Sequence, residues 1–154
     1  HIVDSINSQG WRHDKERIIE SFLFVRVPWK EEAKAWHTFS PENREFFSNL
    51  SCEIGGESSF IYSISKLLCS IGSEFLDDGI YWISHAIKTF DIDLSQDKSG
   101  NTLFCLERYM RRYLFKNHDK VRQTPRLKAQ VMIVLDFLVE QYSITGYLLR
   151  EDIA

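Results

Sequence analysis

Cysteine, proline and long apolar runs are all scarce in this sequence, and each shortage excludes a class of protein. The 154 residues contain three prolines and three cysteines, Cys52, Cys69 and Cys105, at long and unequal spacings. An odd number so placed cannot form a complete disulfide framework and fits a reducing compartment, so we expect a cytoplasmic protein. No apolar run approaches the ~18–20 residues needed to span a bilayer, and we expect no membrane partner.

Residue sets that carry known chemistry are also missing. The sequence has no CxxC or HExxH spacing, and Gly55-Gly56 lacks the following Lys-Ser/Thr of a phosphate-binding loop. His85 and His118 stand alone. Cys69 and Cys105 have no local signature of a nucleophile, so each is expected to be a small buried thiol. The sequence therefore predicts no catalytic residue, no metal ligand and no cofactor, and it disfavours an enzyme, although a site assembled from distant residues stays open.

The composition is sufficient for one folded domain. Hydrophobic residues make up 44% of the chain and aromatic residues 14%, and domains commonly contain ~100–150 residues. We expect residues 1–154 to form a single helical domain. Because the sequence starts at His1 and stops within a helical pattern, we also expect it to be a piece of a larger multidomain protein.

Helix start signals recur along the whole chain. Ser40-Pro41 and Thr124-Pro125 each combine a capping hydroxyl with a proline at the first helical position. Apolar residues recur every three or four positions after these signals, and no strand pattern alternates with them. We predict an all-α fold, either an irregular helical bundle or a HEAT-like stack of antiparallel helix pairs.

One predicted helix competes with a strand. In "SEFLDDGIYWISHAIKTF" the apolar side chains keep helical spacing straight through Gly79, so we favour one helix over an Asp-Asp-Gly turn followed by a strand. The predicted apolar stripe consists of Leu76, Ile80, Ile83, Ile87 and Phe90. The polar segment "DIDLSQDKSG" that follows has no periodicity and is predicted to be a surface loop.

The segment after Pro125 is predicted to be the most buried helix. "RLKAQVMIVLDFLVEQY" is apolar on most sides, and its central stripe is Leu127, Val131, Val134, Leu135, Leu138 and Tyr142. Asp136 and Glu140 lie one turn apart and are expected to mark the solvent-exposed side of this helix. "SITGYLLREDIA" is predicted to form a last short helix.

Residues 107–128 collect much of the positive charge of a chain whose net charge is −3. The stretch holds eight basic and two acidic side chains, a net charge of +6, which leaves −9 for the remainder. The basic residues are Arg108, Arg111, Arg112, Lys116, Lys120, Arg122, Arg126 and Lys128. On a helix over about 101–117, ~100° per residue places Leu103, Leu106, Met110, Tyr113 and Leu114 on one face and Arg108, Arg112 and Lys116 nearly opposite.

Two interpretations of this basic stretch remain open. The simpler one is a solvated back of a helix whose other face is core. The functional one is an electropositive ridge that binds a polyanion or an acidic protein patch. Tyr109, Tyr113 and Phe115 are candidates for stacking on unpaired bases, although Tyr113 lies on the apolar face and is expected to be core.

Tryptophans supply the remaining candidates for partner binding. Trp11, Trp29 and Trp36 fall in a region of short predicted helices, where a partly exposed ring would anchor a partner. The sequence thus favours a non-catalytic helical scaffold or protein-interaction domain, whose partner is a separate protein or another domain of the same larger protein. The alternative is an accessory nucleic-acid-binding helical domain that uses the ridge at residues 108–128.

Overall fold

The computed structural model describes residues 76–94 and 100–154, together with nine single helical residues between Glu45 and Cys69. Four helices occupy the continuous part: α1 (Leu76–Thr89), α2 (Asn101–Gln123), α3 (Pro125–Glu140) and α4 (Ile144–Ile153). They pack against each other, and the described residues contain no strand. The predicted all-α fold is therefore confirmed. None of the helices in this part of the chain is long and apolar enough to cross a membrane.

Helix α1 passes through Gly79 without a break, as the apolar spacing predicts. The strand alternative for this segment is therefore wrong. Ile80 and Ile83 are fully buried, and Ile87 and Phe90 are partly buried against the same core. Helix α1 ends at Thr89, and the polar segment begins at Asp91.

Helix α2 has the two faces that the sequence predicts. Leu106, Met110, Tyr113 and Leu114 are buried, and Leu103 packs partly against them. Arg108, Arg112 and Lys116 are exposed. The helix extends to Gln123, beyond its predicted end, and its backbone departs from helical geometry at Asn117 (φ −122°, ψ 17°). There the Asn117 side-chain amide donates a hydrogen bond of 2.9 Å to the Tyr113 carbonyl oxygen, a local interaction that competes with the helical one.

Helix α3 lies at the centre and packs against α1, α2 and α4. It starts at Pro125, as predicted, but the Thr124 hydroxyl makes no capping hydrogen bond. Proline has no N–H at the first position, so one of the four unpaired donors of a helix start is already absent. The predicted stripe from Leu127 to Leu138 is buried. Asp136 and Glu140 are exposed, as expected for the solvent-exposed side of the helix.

The prediction that Tyr142 belongs to the α3 core stripe is wrong. Helix α3 ends at Glu140, and Tyr142 adopts left-handed geometry (φ 64°) with 95% of its surface exposed. The Ser143 N–H donates to the Leu138 carbonyl oxygen at 3.0 Å, and the Tyr142 N–H donates to the Val139 carbonyl oxygen at 2.9 Å. This Schellman motif reverses the chain before the next helical turn can carry Tyr142 into the core.

Helix α4 is the predicted last helix, and Ser143 caps it. The Ser143 hydroxyl accepts a hydrogen bond of 2.9 Å from the Gly146 N–H and donates one of 2.6 Å to Glu107 on α2. Gly146 itself faces α3 so closely that a Cβ atom there would lie 2.5 Å from the Leu138 Cβ. The short connection therefore brings α4 into direct backbone contact with α3.

Helices α2 and α4 run parallel, because three contacts join them in ascending order along both helices. Ser143 bonds Glu107, Thr145 accepts from Arg111 at 3.2 Å, and Asp152 meets His118 at 3.2 Å. The intervening α3 runs back in the opposite direction. This arrangement places the outer side of α2 and the outer side of α4 next to one another.

Several sequence predictions lie outside the described residues. They are the Ser40-Pro41 helix start and the three candidate anchors Trp11, Trp29 and Trp36. The fourth tryptophan, Trp82 on α1, is 2% exposed, and its indole Nε1 donates to the Ser48 hydroxyl at 2.9 Å.

Candidate interaction surface

Three of the eight basic residues of the predicted ridge make hydrogen bonds or ion pairs with other residues that the structure describes. Arg112 donates to the Cys69 carbonyl oxygen at 2.6 Å, and Arg111 donates to the Thr145 hydroxyl. Lys120 forms an ion pair with Asp77 at the start of α1. These contacts tie α2 to its neighbours, so part of the positive charge serves the fold.

Asp77 receives a second hydrogen bond, which shows how α1 and α2 are joined. The Tyr113 hydroxyl donates to the Asp77 carboxylate at 2.7 Å. Burial, followed by this hydrogen bond to a carboxylate, raises the pKa of the Tyr113 phenol. The phenol therefore keeps its proton and remains a donor, and Asp77 holds both Tyr113 and Lys120.

The other five basic residues of the ridge are Arg108, Lys116, Arg122, Arg126 and Lys128. Within the described part of the chain they have no side-chain hydrogen bond or ion pair, and all except the half-buried Lys128 are exposed. The pKa of Tyr81 on α1 is raised, chiefly because Cys52 lies beside the phenol. Arg126 lies within electrostatic range of the same phenol and opposes this shift by a smaller amount.

Of the three aromatics suggested for base stacking, two are core residues. Tyr109 is 1% exposed and Tyr113 is fully buried. The Tyr109 ring is therefore unavailable, which corrects that suggestion, whereas the expectation that Tyr113 is core is confirmed. Phe115 is 88% exposed. Phe104, which the sequence reasoning missed, is 61% exposed on the same face of α2.

These two phenylalanines and two arginines form one row along α2. Phe104, Arg108, Arg111 and Phe115 are separated by four, three and four residues and are all exposed, which is the spacing of a single helical face. The spacing of the row is visible in the sequence, where only Phe104 was missed as a candidate.

Helix α4 adds apolar side chains beside this row. Ile144 is 76% exposed and Leu148 is 60% exposed, one turn apart on α4. Because α4 runs parallel to α2 and contacts it through Arg111 and Thr145, these side chains extend the row sideways. We call the combined set the α2–α4 surface: Phe104, Arg108, Arg111, Phe115, Ile144 and Leu148.

A cleft of about 350 Å³ runs between the two helices. It is lined by Arg111, Leu114, Phe115, His118, Leu149 and Asp152. Its apolar floor is continuous with the α2–α4 surface through Phe115. At its far end, His118 lies 3.2 Å from Asp152 and 3.6 Å from Asp119, both well exposed. The cleft therefore has the Arg111 guanidinium at one end and the carboxylates of Asp119 and Asp152 beside His118 at the other.

The described residues offer little for catalysis. Within residues 76–94, 100–154 and the nine single positions, no group of three His, Cys, Asp or Glu side chains could hold a metal ion. Cys105 is buried, as expected, whereas Cys69 is only partly buried, and neither forms a disulfide. The Nδ1 atom of His85 is buried without a hydrogen-bond partner, and its ring lies 6.0 Å from the Tyr81 ring.

Comparison with known protein families and with curated protein sequences finds no match to this chain.

Proposed function

We propose that this chain is a non-catalytic helical scaffold or protein-interaction domain, and that a protein partner docks on the α2–α4 surface. The partner is a separate protein or another domain of the same larger protein. The observation that carries the proposal is the exposure of Phe104, Phe115, Ile144 and Leu148, all 60% or more.

Exposed apolar side chains are common singly but not side by side. Soluble proteins rarely leave contiguous apolar area open unless a partner covers it. Burying one such side chain contributes about 1.5–3 kcal/mol. Four of them thus supply a large part of the ~8 kcal/mol that corresponds to micromolar affinity, before the costs of association are deducted.

A selection experiment tests this proposal. A displayed library of random peptides of about 16 residues, enough for a short helix, is selected on the 154-residue chain. Binders should lose most of their affinity on the Phe104→Ser/Phe115→Ser variant, because the aromatic anchors are gone. Affinity is measured by biolayer interferometry, and helical content by circular dichroism.

The matched control changes two exposed aromatics outside the surface. Tyr142→Ser/Tyr147→Ser removes rings that are 95% and 49% exposed, and it should leave binding unchanged. If the selected peptides bind the phenylalanine variant as well as the original chain, the α2–α4 surface is not the docking site and the proposal is wrong.

A second candidate function, nucleic-acid binding, is favoured by the three basic residues Arg108, Arg112 and Lys116 on the exposed side of α2. If this side binds phosphates, a generic duplex or single strand should bind at low salt. The logarithm of the affinity should then fall linearly with the logarithm of the salt concentration, with a slope of about −0.7 to −0.9 per phosphate neutralised.

The matching variant replaces Arg108 and Lys116 by Glu and keeps Arg112, whose guanidinium donates to the Cys69 carbonyl oxygen. Nucleic-acid binding should fall sharply, while the melting temperature changes little because both replaced side chains are exposed and make no side-chain hydrogen bond or ion pair within the described residues. An electrophoretic mobility assay that detects no binding near ~50 mM salt excludes this function for the α2 surface.

A further inference from the structure

The order of aromatic and basic side chains along the row on α2 is symmetric, and this order limits which partners can cover the row. Phe104, Arg108, Arg111 and Phe115 keep the same order of aromatic and basic side chains when the row is reversed. At a rise of about 1.5 Å per residue, the two rings lie about 16 Å apart along the axis with the arginines between them. A covering segment must therefore offer apolar groups at its ends and suit two positive charges in the middle.

A second copy of this chain fails that requirement. If two α2 helices paired antiparallel about a twofold axis, each phenylalanine would meet a phenylalanine, but the four arginines would meet at the centre. Like charges brought together at an interface oppose association. The charge of the row therefore calls for a partner of opposite sign.

The neighbourhood of the row also disfavours a phosphate backbone as the occupant. Ile144 and Leu148 border it with aliphatic groups, so that among the six residues of the α2–α4 surface only Phe104 and Phe115 carry a ring that could stack on a base. Asp119 and Asp152 lie beside His118 at the far end of the adjoining cleft, and their carboxylates oppose a phosphate placed inside the cleft. A protein segment can match both features, since it carries apolar and charged side chains together.

We infer that the partner presents an amphipathic helix with acidic side chains between two apolar anchors. Its acidic residues pair with Arg108 and Arg111, and its anchors pack on Phe104 and on the Phe115 end of the cleft. Arg108 makes no hydrogen bond within the described part of the chain, and Arg111 bonds only the neutral Thr145 hydroxyl there. Both guanidinium groups thus retain donors for a carboxylate.

The same geometry sets the order of the charged residues along the partner helix. Basic side chains on the partner fit next to Asp119 and Asp152, at the end of the cleft where negative charge is exposed. The acidic residues therefore lie toward the start of α2 and the basic residues toward its end. This inference rests on the proposed function, because it names the partner class for the same surface.

A second displayed library tests the charge requirement. Its peptides carry two fixed leucines at the spacing of Phe104 and Phe115, and the two positions at the spacing of Arg108 and Arg111 are randomised. Sequencing of the peptides bound by the 154-residue chain should show Asp and Glu enriched over Lys and Arg at these positions by about tenfold or more, because buried or rim charge pairs of opposite sign discriminate at this level. The enrichment should shrink as salt is raised.

Charge-reversed variants provide the decisive comparison. Arg108→Glu/Arg111→Glu should invert the preference toward Lys and Arg. Arg122→Glu/Arg126→Glu makes the same change in net charge at exposed positions outside the row and should retain the original preference. Circular dichroism checks that each variant is folded. If a variant does not fold, the enrichment and its salt dependence measured with the original chain still test the inference.

Each other outcome overturns the inference in a distinguishable way. Equal enrichment of acidic and basic residues refutes the acidic partner but leaves the proposed function intact if binding still requires Phe104 and Phe115. An absence of any peptide that requires these phenylalanines refutes both. Phenylalanine-dependent dimerisation in sedimentation equilibrium identifies a second copy, and displacement of bound peptides by a single-stranded oligonucleotide identifies nucleic acid.

Discussion

Replacing Leu135 by alanine should lower the free energy of unfolding by about 2–5 kcal/mol. Leu135 is fully buried in the middle of α3, the helix that packs against the other three. Removing the side chain loses the free energy gained by burying it away from water. It also leaves a cavity among the helices, which relax only partly to fill it. Urea denaturation followed by circular dichroism measures the change.

The control for this change is the same substitution at an exposed helical position. Leu148 is 60% exposed on α4, so Leu148→Ala should alter the free energy of unfolding by no more than about 0.5 kcal/mol. A loss below about 1 kcal/mol for Leu135→Ala would show that the side chain does not occupy the centre of the core.

Replacing Gly146 by alanine should also destabilise the protein, although alanine favours a helix over glycine by about 1 kcal/mol. The new Cβ would lie 2.5 Å from the Leu138 Cβ and 3.3 Å from the Ser143 hydroxyl that caps α4. The Leu138 Cβ is attached to the backbone, so relief requires a shift of α4 away from α3. Overpacking of this kind costs about 1–3 kcal/mol, which exceeds the gain in helix propensity over most of that range.

Thermal and urea unfolding of Gly146→Ala measure the net effect, for which we expect a loss of up to about 2 kcal/mol. Glu151→Ala, at an exposed position of the same helix, serves as the control and should be within about 0.5 kcal/mol of the original chain. A stabilised Gly146→Ala variant would mean that α4 does not approach α3 at this position.

Local sequence patterns were sufficient to predict helix starts and buried helix faces, because these features depend on residues that are close along the chain. Proline at a first helical position predicted the start of α3, and apolar spacing predicted α1 through Gly79. The same spacing separated the buried Leu106 and Tyr113 from the exposed Arg108. Helical periodicity determines which side chains share a face, so these faces follow from the sequence alone.

The wrong prediction for Tyr142 came from extending one periodicity too far. Its spacing continues the apolar stripe of α3, but the Schellman hydrogen bonds to Leu138 and Val139 end the helix first. The residue in left-handed geometry is a tyrosine instead of the usual glycine, so the sequence carried no conventional stop signal at this position.

Part of the α2–α4 surface could be predicted from the sequence, and part could not. The row from Phe104 to Phe115 could be read from the sequence, because all four residues belong to one helix face. Its extension by Ile144 and Leu148 could not, because these residues reach α2 only through the turn after α3. The run of basic residues could likewise be seen in the sequence. The sequence did not show which of these residues make contacts within the fold and which have none among the described residues.

The sequence by itself determined that this chain is helical, where several helices begin, and which faces of α2 and α3 are apolar. Only the tertiary structure decided that α4 lies parallel to α2, that Gly146 meets Leu138, and that Lys120 pairs with Asp77. The physical reason is the range of the interactions. Capping and periodicity act within a few residues, whereas the Lys120 and Asp77 contact joins positions 43 residues apart and depends on how whole helices pack.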